Sequence, residues 1–276
     1  MPIQASENPE AFRSFEHEGW QTVSAGYQEH FGRLTGQTVP ATLEAAGIAG
    51  GMRVLDVCTG PGILAAAILA QGAAPVGLDF SSEALEIARR GVPEAEFHQG
   101  DAQELPFADE TFDAAVCGYG LLHVPEPEKA LSEMRRVLRP GARMAVSVWE
   151  GPKPSNGFGL IFGALKAHGD LNVPLPHGPD MFQFSERETM SGALEGVGLR
   201  DATVRTFDQS WDFDGPLDIL GALLKGTVRG RALLLGQTPD VRKAIDSAVA
   251  KGIDKFRATD GKFRVPMPAV IGAGVK

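Results

Sequence analysis

Residues 55–65 read LDVCTGPGILA and join three kinds of sequence in one short stretch. The first residues are apolar and strand-like, Gly60 and Gly62 form a glycine-rich turn, and the apolar run that follows is typical of a helix. Glycine allows the backbone to approach a ligand closely, because it has no side chain to block the approach. The stretch therefore predicts a strand–turn–helix unit that binds a nucleotide-like ligand.

Residues 50–150 continue this alternation of strand-like and helix-like segments. The predicted strands are Arg53–Val57, Pro75–Leu78, Glu96–His98, Phe112–Cys117 and Ala142–Trp149. The clearest predicted helix is Pro127–Leu138, which keeps its apolar residues on one face and ends before Pro140 and Gly141. Apolar strands that alternate with helices indicate a mainly parallel sheet covered on both faces.

The flanking segments differ from this block, and they set the predicted domain boundaries. Residues 1–48 have a helical pattern, and residues 150–185 are rich in Gly, Pro and Phe. A strand-like alternation at Thr203–Phe213 and another at Val265–Val275 frame a predicted helix that begins at Thr238. We predict an N-terminal helical lid (1–48), a ligand-binding core (49–150), and a cap that also contains the last two sheet strands (151–276).

Composition and charge exclude several functions. The chain has 276 residues, 43% of them hydrophobic, and a formal net charge of −9, which disfavours binding to nucleic acid. The N-terminal residues lack a secretory signal, the longest apolar run is too short to cross a bilayer, and the two cysteines predict no disulfide framework. These features predict a soluble cytoplasmic protein, monomeric or homodimeric, that does not bind a membrane or a metal ion.

The glycine turn also matches a different class of protein. Gly60 to Ala65 fits the G-x-G-x-x-G/A fingerprint of dinucleotide-binding folds, and Asp79 lies close to the expected downstream spacing. An NAD-dependent oxidoreductase is therefore an alternative. Against it, Asp56 directly precedes the turn, where its carboxylate would repel a pyrophosphate but would suit an ammonium group. Asp101 follows the third predicted strand and brings a further acid to the same edge of the sheet.

Five blocks of sequence, in order and spacing, resemble the class I S-adenosylmethionine-dependent methyltransferases. The blocks are VLDVCTGPG, VGLDFS, GDAQELPF, FDAAVCGYGLLHV and EMRRVLRPGARMAVSVW, and the most similar subgroup is the small-molecule branch related to ubiquinone and menaquinone C-methyltransferases. The resemblance covers residues 50–150. It implies an α/β, Rossmann-like, seven-stranded and mostly parallel sheet with helices on both faces, an N-terminal helical lid and an inserted cap.

The resemblance also implies a cofactor, S-adenosylmethionine, and the residues that bind it. Asp56, Gly60 and Gly62 would line the methionine part, and Asp79 would accept hydrogen bonds from the ribose hydroxyls. The remaining residues of the predicted cofactor site are Cys58, Thr59, Phe80, Ser81, Asp101, Ala102, Gln103, Gly118 and Tyr119. Cys58 stands where the family usually has the first glycine of its turn. We expect Cys58 and Cys117 to be small buried hydrophobic residues, the alternative being a thiol pair near the cofactor.

Methyl transfer is an in-line displacement whose activation comes from the cofactor, so the protein mainly positions the reactants. His123, after the fourth strand, is the first candidate for a base, although it could instead be hydrogen-bonded at a helix start. Tyr27 is a second candidate, on an aromatic N-terminal lid or in its core. The predicted substrate-binding residues are Trp20, Leu122, Trp149, Phe158, Phe162, Phe182 and Phe184. They indicate an apolar or aromatic small molecule, unless the cap residues form the core of the cap.

Two points stay open in the sequence. The acceptor atom could be oxygen, nitrogen or carbon, and the chain could bind S-adenosylmethionine without catalysing a reaction.

Residues 225–264 carry ten Lys or Arg and four Asp, a local net charge of +6. We interpret this segment as a solvated basic face; a patch for an acidic substrate is the alternative.

Overall fold

The computed structural model describes residues 3–276, and a seven-stranded sheet forms the centre of the molecule. The strands are Arg53–Val57 (β1), Ala74–Asp79 (β2), Glu96–Gln99 (β3), Phe112–Gly118 (β4), Leu138–Trp149 (β5), Arg200–Phe207 (β6), Ser210–Phe213 (β7), Phe263–Pro266 (β8) and Ala269–Val275 (β9). The order in the main sheet is β3-β2-β1-β4-β5-β9-β6. β1 to β5 pair in parallel, and β9 is antiparallel to both of its neighbours. This confirms the predicted mostly parallel, seven-stranded fold.

Helices cover both faces of the sheet because its strands are apolar on both sides. The helices are Pro9–His30 (α1), Gly32–Thr35 (α2), Val39–Ala45 (α3), Ile63–Ala70 (α4), Ser82–Gly91 (α5), Pro127–Val137 (α6), Gly157–His168 (α7), Arg187–Gly196 (α8), Asp218–Gly226 (α9), Val228–Leu235 (α10) and Pro239–Gly252 (α11). One buried cluster joins α3 and α4 to the sheet, and another joins α6 and α8 to it. A third cluster packs α7, α9, α10 and α11 around β7 and β8.

Helix α1 packs against α5 of the core and against α9 and α10 of the C-terminal region. Two glycines allow this close approach. A Cβ atom at Gly26 would lie 2.1 Å from the carbonyl oxygen of Lys225, and one at Gly19 would lie 2.3 Å from a methyl carbon of Val228. The N-terminal helix is therefore held between the core and the C-terminal helices, over the edge of the sheet where the parallel strands end.

Two of the strand predictions need correction. Thr203–Phe213 and Val265–Val275 are not single strands, since each divides into one strand of the main sheet and one of a separate two-stranded sheet. Phe207 of β6 pairs with Ala269 of β9, whereas Ser210 of β7 pairs with Pro266 of β8. Prolines 266 and 268 have no N–H group to donate, which interrupts a continuous ladder. The paired chains therefore bend here and continue as β7 and β8. Among residues 3–276, no helix is both long and apolar enough to cross a membrane.

Candidate active site

A cavity of about 690 Å³ lies at the carboxyl ends of the parallel strands. Its walls come from α1, from the turns that follow β1 to β5, and from α7, α9 and α10 with the loop after α7. This volume is in the usual range for a site that encloses small molecules. Open parallel sheets bind ligands at this edge, beside the central strands where the strand order reverses. The cavity is thus where the topology of the fold predicts a ligand site.

Asp56, near the end of β1, is a fully buried carboxylate that lines the cavity. Its Oδ2 accepts a hydrogen bond from the hydroxyl of Thr59 at 2.6 Å, while Oδ1 has no partner within the described part of the chain. Burial, opposed by the Thr59 hydrogen bond and reinforced by the charge of Asp79, raises the pKa of Asp56 to about 7. Burying a carboxylate oxygen without a partner is unfavourable, and a hydrogen-bond donor from a ligand would relieve this cost.

Asp79 ends β2 and is 6% exposed. Its two oxygens accept hydrogen bonds from the backbone N–H groups of Gly60, at 2.8 Å, and Ser81, at 2.9 Å. Burial raises the pKa of Asp79, and these hydrogen bonds oppose the rise. Gly60 has a φ of +55°, and no atom lies within 4 Å of the place where its Cβ would be. The turn after β1 therefore presents bare backbone beside two carboxylates.

Asp101 follows β3 and forms the third carboxylate of this wall. Its Oδ1 accepts from the Gln103 backbone N–H at 2.9 Å, and its Oδ2 is 3.1 Å from a guanidinium nitrogen of Arg13. The ring of Phe80 also lines the cavity and packs edge-on against His17, with 5.5 Å between the ring centroids. Arg13 and His17 both belong to α1, so the N-terminal helix closes this end of the cavity.

Asp56, Asp79 and Asp101 together form a carboxylate wall, which fits the ligand that the resemblance implies, S-adenosylmethionine. Asp56, Asp79 and Asp101 suit a ligand with an ammonium group, ribose hydroxyls and an amino group, because all of these donate hydrogen bonds. The same wall would repel the pyrophosphate of NAD, as the sequence indicates. The Oδ1 atom of Asp56 has no partner among residues 3–276, so it could accept from such a donor, and the open space at Gly60 gives a ligand access to the backbone.

The segment after β4 lies at the next position along the sheet edge, and it contains His123. The Nδ1 atom of His123 is 2.8 Å from Oε2 of Glu16, and the imidazole packs edge-on against Trp20. Glu16 is fully buried and also accepts from the Nε of Arg229 at 3.0 Å. This geometry is compatible with both interpretations of His123, as a base and as a hydrogen-bonded residue, since the side chain lines the cavity and is also hydrogen-bonded. Its partner, however, lies in α1.

Arg13 and Arg229 line the cavity and Glu16 contacts His123, and the sequence did not reveal any of these three positions. Glu16 lies 107 positions from His123 and 213 from Arg229 in the chain. Arg229 belongs to the basic segment 225–264, which we interpreted as solvated, although the Arg229 side chain is only 20% exposed. The one available signal was the position of Glu16 four residues before Trp20, on the aromatic face of α1.

Tyr119 and Tyr27 line the cavity, but neither hydroxyl is suited to act as a base at neutral pH. The Tyr119 hydroxyl donates to Oγ1 of Thr38 at 3.2 Å and accepts from Nε2 of Gln209 at 3.0 Å. Burial raises the pKa of Tyr119 above its usual value, and it raises the pKa of Tyr27 to about 12. Tyr27 stacks on Phe31, at 5.5 Å between ring centroids, and contributes an aromatic surface.

Several aromatic side chains form the end of the cavity opposite the carboxylates. Trp149 ends β5 and packs against Tyr119 and against Phe158 of α7, with ring centroids 4.2 and 5.5 Å apart. The predicted substrate-binding residues found in the cavity wall are Trp20, Leu122, Trp149, Phe158 and Phe162. The order β3-β2-β1-β4-β5 therefore arranges the wall in sequence, with three carboxylates first, then His123, then the aromatic end.

Two predicted substrate-binding residues lie outside the cavity wall. Phe184 is 3% exposed and belongs to the core cluster formed with α6 and α8, so it packs in the interior of the protein. Phe182 packs edge-on against Phe158 and Phe162 and supports these two rings, with centroids 5.1 and 5.6 Å away. The alternating aromatic pattern could not distinguish a wall residue from the residues that support it.

Three predicted cofactor-binding residues likewise have supporting positions. Gly62 has a φ of +84°, and a Cβ there would lie 3.2 Å from the Cβ of Ala88, so it permits close packing of α5. Ser81 caps α5 by accepting from the Ala84 N–H at 3.2 Å. The Gln103 side chain donates to the Asp101 carboxylate and accepts from the Glu126 N–H at 2.8 Å. These residues hold the wall and its carboxylates in place.

Cys58 has a φ of +55°, the left-handed region that favours glycine. It lines the cavity beside buried Cys117, and both thiols are free. The strain explains the glycine that the family usually has at this position. We expect Cys58→Gly to be more stable than Cys58→Ala by about 1 kcal/mol, because a left-handed conformation costs a residue with a Cβ about 1–2 kcal/mol. Urea unfolding of the two variants measures this difference.

Cys117, inside β4, provides the matched control. Its backbone is extended, so Cys117→Gly should be less stable than Cys117→Ala by about 0.5–1 kcal/mol. The order of the glycine and alanine variants should thus reverse between the two cysteines. The same order at both positions would contradict a strained conformation at Cys58.

The comparisons with known proteins agree with this fold. Residues 55–146 match the methyltransferase domain family. The YcgJ protein of Bacillus subtilis aligns with 87% of this chain and 98% of its own, at a TM-score of 0.57 and 20% identity. Phosphoethanolamine N-methyltransferase 2 of Haemonchus contortus, solved with S-adenosyl-L-methionine, aligns with 96% of this chain and 60% of its own, at a TM-score of 0.59 and 20% identity. These two similarities support the fold alone.

Relatives found by sequence have a higher identity to this chain than these two structures have. Demethylmenaquinone methyltransferase of Clavibacter sepedonicus is 43% identical in an alignment of length 177 that covers 58% of this chain and 70% of that protein. The enzyme of the same name from Renibacterium salmoninarum is 43% identical over 40% of this chain and 46% of its own length, so the chain spans about half of this relative. These two relatives favour a methyltransferase over an NAD-dependent oxidoreductase. With its fold, its carboxylate wall and this identity all in agreement, the chain belongs to the S-adenosylmethionine-dependent methyltransferases, in the small-molecule branch of the quinone C-methyltransferases.

Proposed function

We propose that this methyltransferase transfers a methyl group from S-adenosylmethionine to a ring carbon of a hydroquinone-like acceptor. The observation that carries the proposal is the order of the cavity wall, with three carboxylates at one end, aromatic side chains at the other and His123 between them. Such a cavity has separate surfaces for a polar, cationic donor and an apolar acceptor. The names of the relatives favour carbon over oxygen or nitrogen as the atom that is methylated.

The carboxylate end would hold the cofactor. Asp56 would accept from the ammonium group through its unpartnered Oδ1, Asp79 from the two ribose hydroxyls, and Asp101 from the adenine amino group, with Phe80 against the ring. S-adenosylmethionine supplies, when bound, a methyl group already activated for displacement by the positive charge on its sulfur. The remaining work of the protein is to orient the acceptor, exclude water and accept a proton.

The aromatic end would hold the acceptor. Trp149, Phe158 and Phe162 form an apolar surface on which a fused aromatic ring can stack. Relatives in the comparisons include demethylmenaquinone methyltransferases and a 2-phytyl-1,4-naphthoquinone methyltransferase of Synechocystis, which is 41% identical over 39% of this chain. An acceptor of this kind is a reduced naphthoquinone, whose ring carbon beside the hydroxyl is electron-rich.

His123 would act as the general base. A ring carbon that gains a methyl group must lose a proton, and a base raises the rate by about 10²–10⁴-fold. His123 lines the cavity after β4, between the two ends, and its Nδ1 is held by Glu16. Its Nε2 is the nitrogen left free to accept a proton. Tyr27, whose pKa is about 12, would then provide an aromatic surface or a hydrogen-bond donor.

Transfer of a radiolabelled methyl group tests this proposal. The protein is incubated with S-adenosylmethionine labelled in the methyl group and with three acceptors in parallel: a naphthohydroquinone kept reduced, a catechol and an aromatic amine. We expect label in the naphthohydroquinone, on carbon by NMR of the product. His123→Gln should lower the rate by about 10²-fold or more.

Each other outcome has a definite meaning. Label only in the catechol or the amine would assign the acceptor atom to oxygen or nitrogen and contradict the carbon proposal. Binding of S-adenosylmethionine with no transfer to any acceptor would favour the non-catalytic alternative. A cytoplasmic location and a monomeric or homodimeric state stay predictions, which fractionation and light scattering can test.

A further inference from the structure

Glu16 is a buried carboxylate with three side-chain partners, and it lies in the N-terminal helix rather than in the sheet. It is fully buried and accepts from Nε of Arg229 at 3.0 Å and from Nε1 of Trp20 at 3.2 Å, and its Oε2 lies 2.8 Å from Nδ1 of His123. A carboxylate that is removed from water needs such partners, because its burial is otherwise unfavourable. Here, the partners come from three different parts of the fold.

Arg229 fixes the other side of this arrangement. Besides Glu16, it donates to the carbonyl oxygen of Pro179 at 2.9 Å and to that of Leu122, the residue before His123. Its guanidinium also lies over the ring of Phe12, 4.9 Å from the centroid. Arg229 therefore holds both the carboxylate and the backbone next to the histidine. Each of its three nitrogens donates one hydrogen bond to the protein, so Arg229 has a structural role in this arrangement.

We propose that Glu16 is the positioning residue of His123: it keeps the proton of the neutral imidazole on Nδ1, so that Nε2 faces the acceptor with a free lone pair. This inference rests on the proposed role of His123 as base. A carboxylate on the far nitrogen selects the tautomer and the ring orientation, and it stabilises the imidazolium that forms when Nε2 accepts a proton. Glu16 itself does not touch the acceptor.

The packing of the N-terminal helix gives this arrangement a second consequence. Glu16 is in α1, His123 follows β4 and Arg229 is in α10, so the base is oriented only when all three elements are docked. Trp20, one turn after Glu16, also packs edge-on against the imidazole with 4.9 Å between ring centroids. The N-terminal helix thus contributes to the chemistry as well as covering the cavity.

NMR of the histidine nitrogens tests the inference without any acceptor. The ¹⁵N signals of His123 are assigned by comparison with His123→Gln, and their shifts distinguish a proton on Nδ1 from one on Nε2. We expect the wild-type signal to report a proton on Nδ1, and Glu16→Leu to move a substantial fraction to Nε2. Glu16→Gln should retain part of the wild-type tautomer, because its amide oxygen can still accept.

Glu16→Leu leaves Arg229 without its carboxylate, so the double variant Glu16→Leu/Arg229→Leu provides a second test if the single variant fails to fold. Glu133→Leu is the matched control: Glu133 also accepts from an arginine, Arg136 at 2.7 Å, but forms no hydrogen bond with His123. It should leave the His123 signals unchanged. A wild-type proton on Nε2, or unchanged His123 signals in both Glu16→Leu variants, would overturn the inference.

Steady-state kinetics with the acceptor that the wild-type protein methylates add an independent measurement. Glu16→Leu should lower kcat about 10- to 100-fold and change the KM for S-adenosylmethionine less than about threefold, since Glu16 does not contact the cofactor end. An equal loss through KM alone would contradict a positioning role. If no acceptor is methylated by the wild-type protein, the proposed function fails, and the nitrogen shifts still decide whether Glu16 controls His123.

Discussion

Asp79→Ala is expected to abolish the thermal stabilisation of the protein by S-adenosylhomocysteine. A ligand at a hundredfold excess over its dissociation constant stabilises the wild-type protein by about 2.7 kcal/mol. Each hydrogen bond to a charged acceptor contributes about 1.5–3 kcal/mol, so removing the acceptor of both ribose hydroxyls lowers affinity at least about a hundredfold. The stabilisation at the same ligand concentration then falls below about 0.5 kcal/mol. Thermal melting with and without the ligand measures both values.

The comparison is made within each variant, because Asp79 also accepts from Gly60 and Ser81 and its loss changes the unliganded protein. Asp109→Ala serves as the control of equal charge: Asp109 is 72% exposed, pairs with Arg136 and lies outside the cavity wall. It should keep the wild-type response. Stabilisation of Asp79→Ala equal to that of the wild type would refute the ribose role, and stabilisation of the wild type by NAD alone would contradict the cofactor.

The second large effect is a loss of stability with rising pH that originates at Asp56. The pKa of this carboxyl is raised by burial from 3.8 to about 7, so between these pH values the folded state binds a proton that the unfolded state has released. Stability therefore falls as pH rises and stops falling above about pH 7. At 1.36 kcal/mol per pH unit, this group lowers the free energy of unfolding by about 3 kcal/mol between pH 5 and pH 8.

Asp56→Asn removes the titrating group and keeps the shape of the side chain. We expect the difference in unfolding free energy between wild type and Asp56→Asn to shift by about 3 kcal/mol in favour of the variant from pH 5 to pH 8. Urea unfolding at both pH values measures this shift, and saturating S-adenosylhomocysteine should reduce it, since the ammonium group supplies the missing donor. Parallel pH curves for the two proteins would show that Asp56 titrates normally.

The position of the three carboxylates in the cavity wall was predictable because these residues lie next to their strands in the sequence. Asp56, Asp79 and Asp101 each occur at or just after the end of a strand, and parallel strands bring these ends to one edge. The orientation of His123 was not predictable. Its partner Glu16 is 107 positions away, and no local pattern specifies which face of α1 packs over the turn after β4.

The bend between the paired terminal strands was not predictable for a similar reason. Both segments alternate as strands do, and alternation reports which residues are buried but not which strand is the neighbour. The pairing of β7 with β8 outside the main sheet depends on prolines 266 and 268 and on the bend of two chains at once. Phe184 illustrates the same limit for side chains, because a buried ring in a core and one in a cavity wall look alike in sequence.

By itself, the sequence determined the parallel sheet, the helical N-terminus and the carboxylate wall, since each of these is encoded by local periodicity and by residues adjacent to strand ends, and five ordered blocks of sequence carried the resemblance to the family. The tertiary structure decided which side chains complete the site. Arg13 and Arg229 reach the cavity, and Glu16 reaches His123, only because α1 packs between the core and α10. Contacts between distant segments arise from the packing of whole elements, and the pattern within one element does not record its partner.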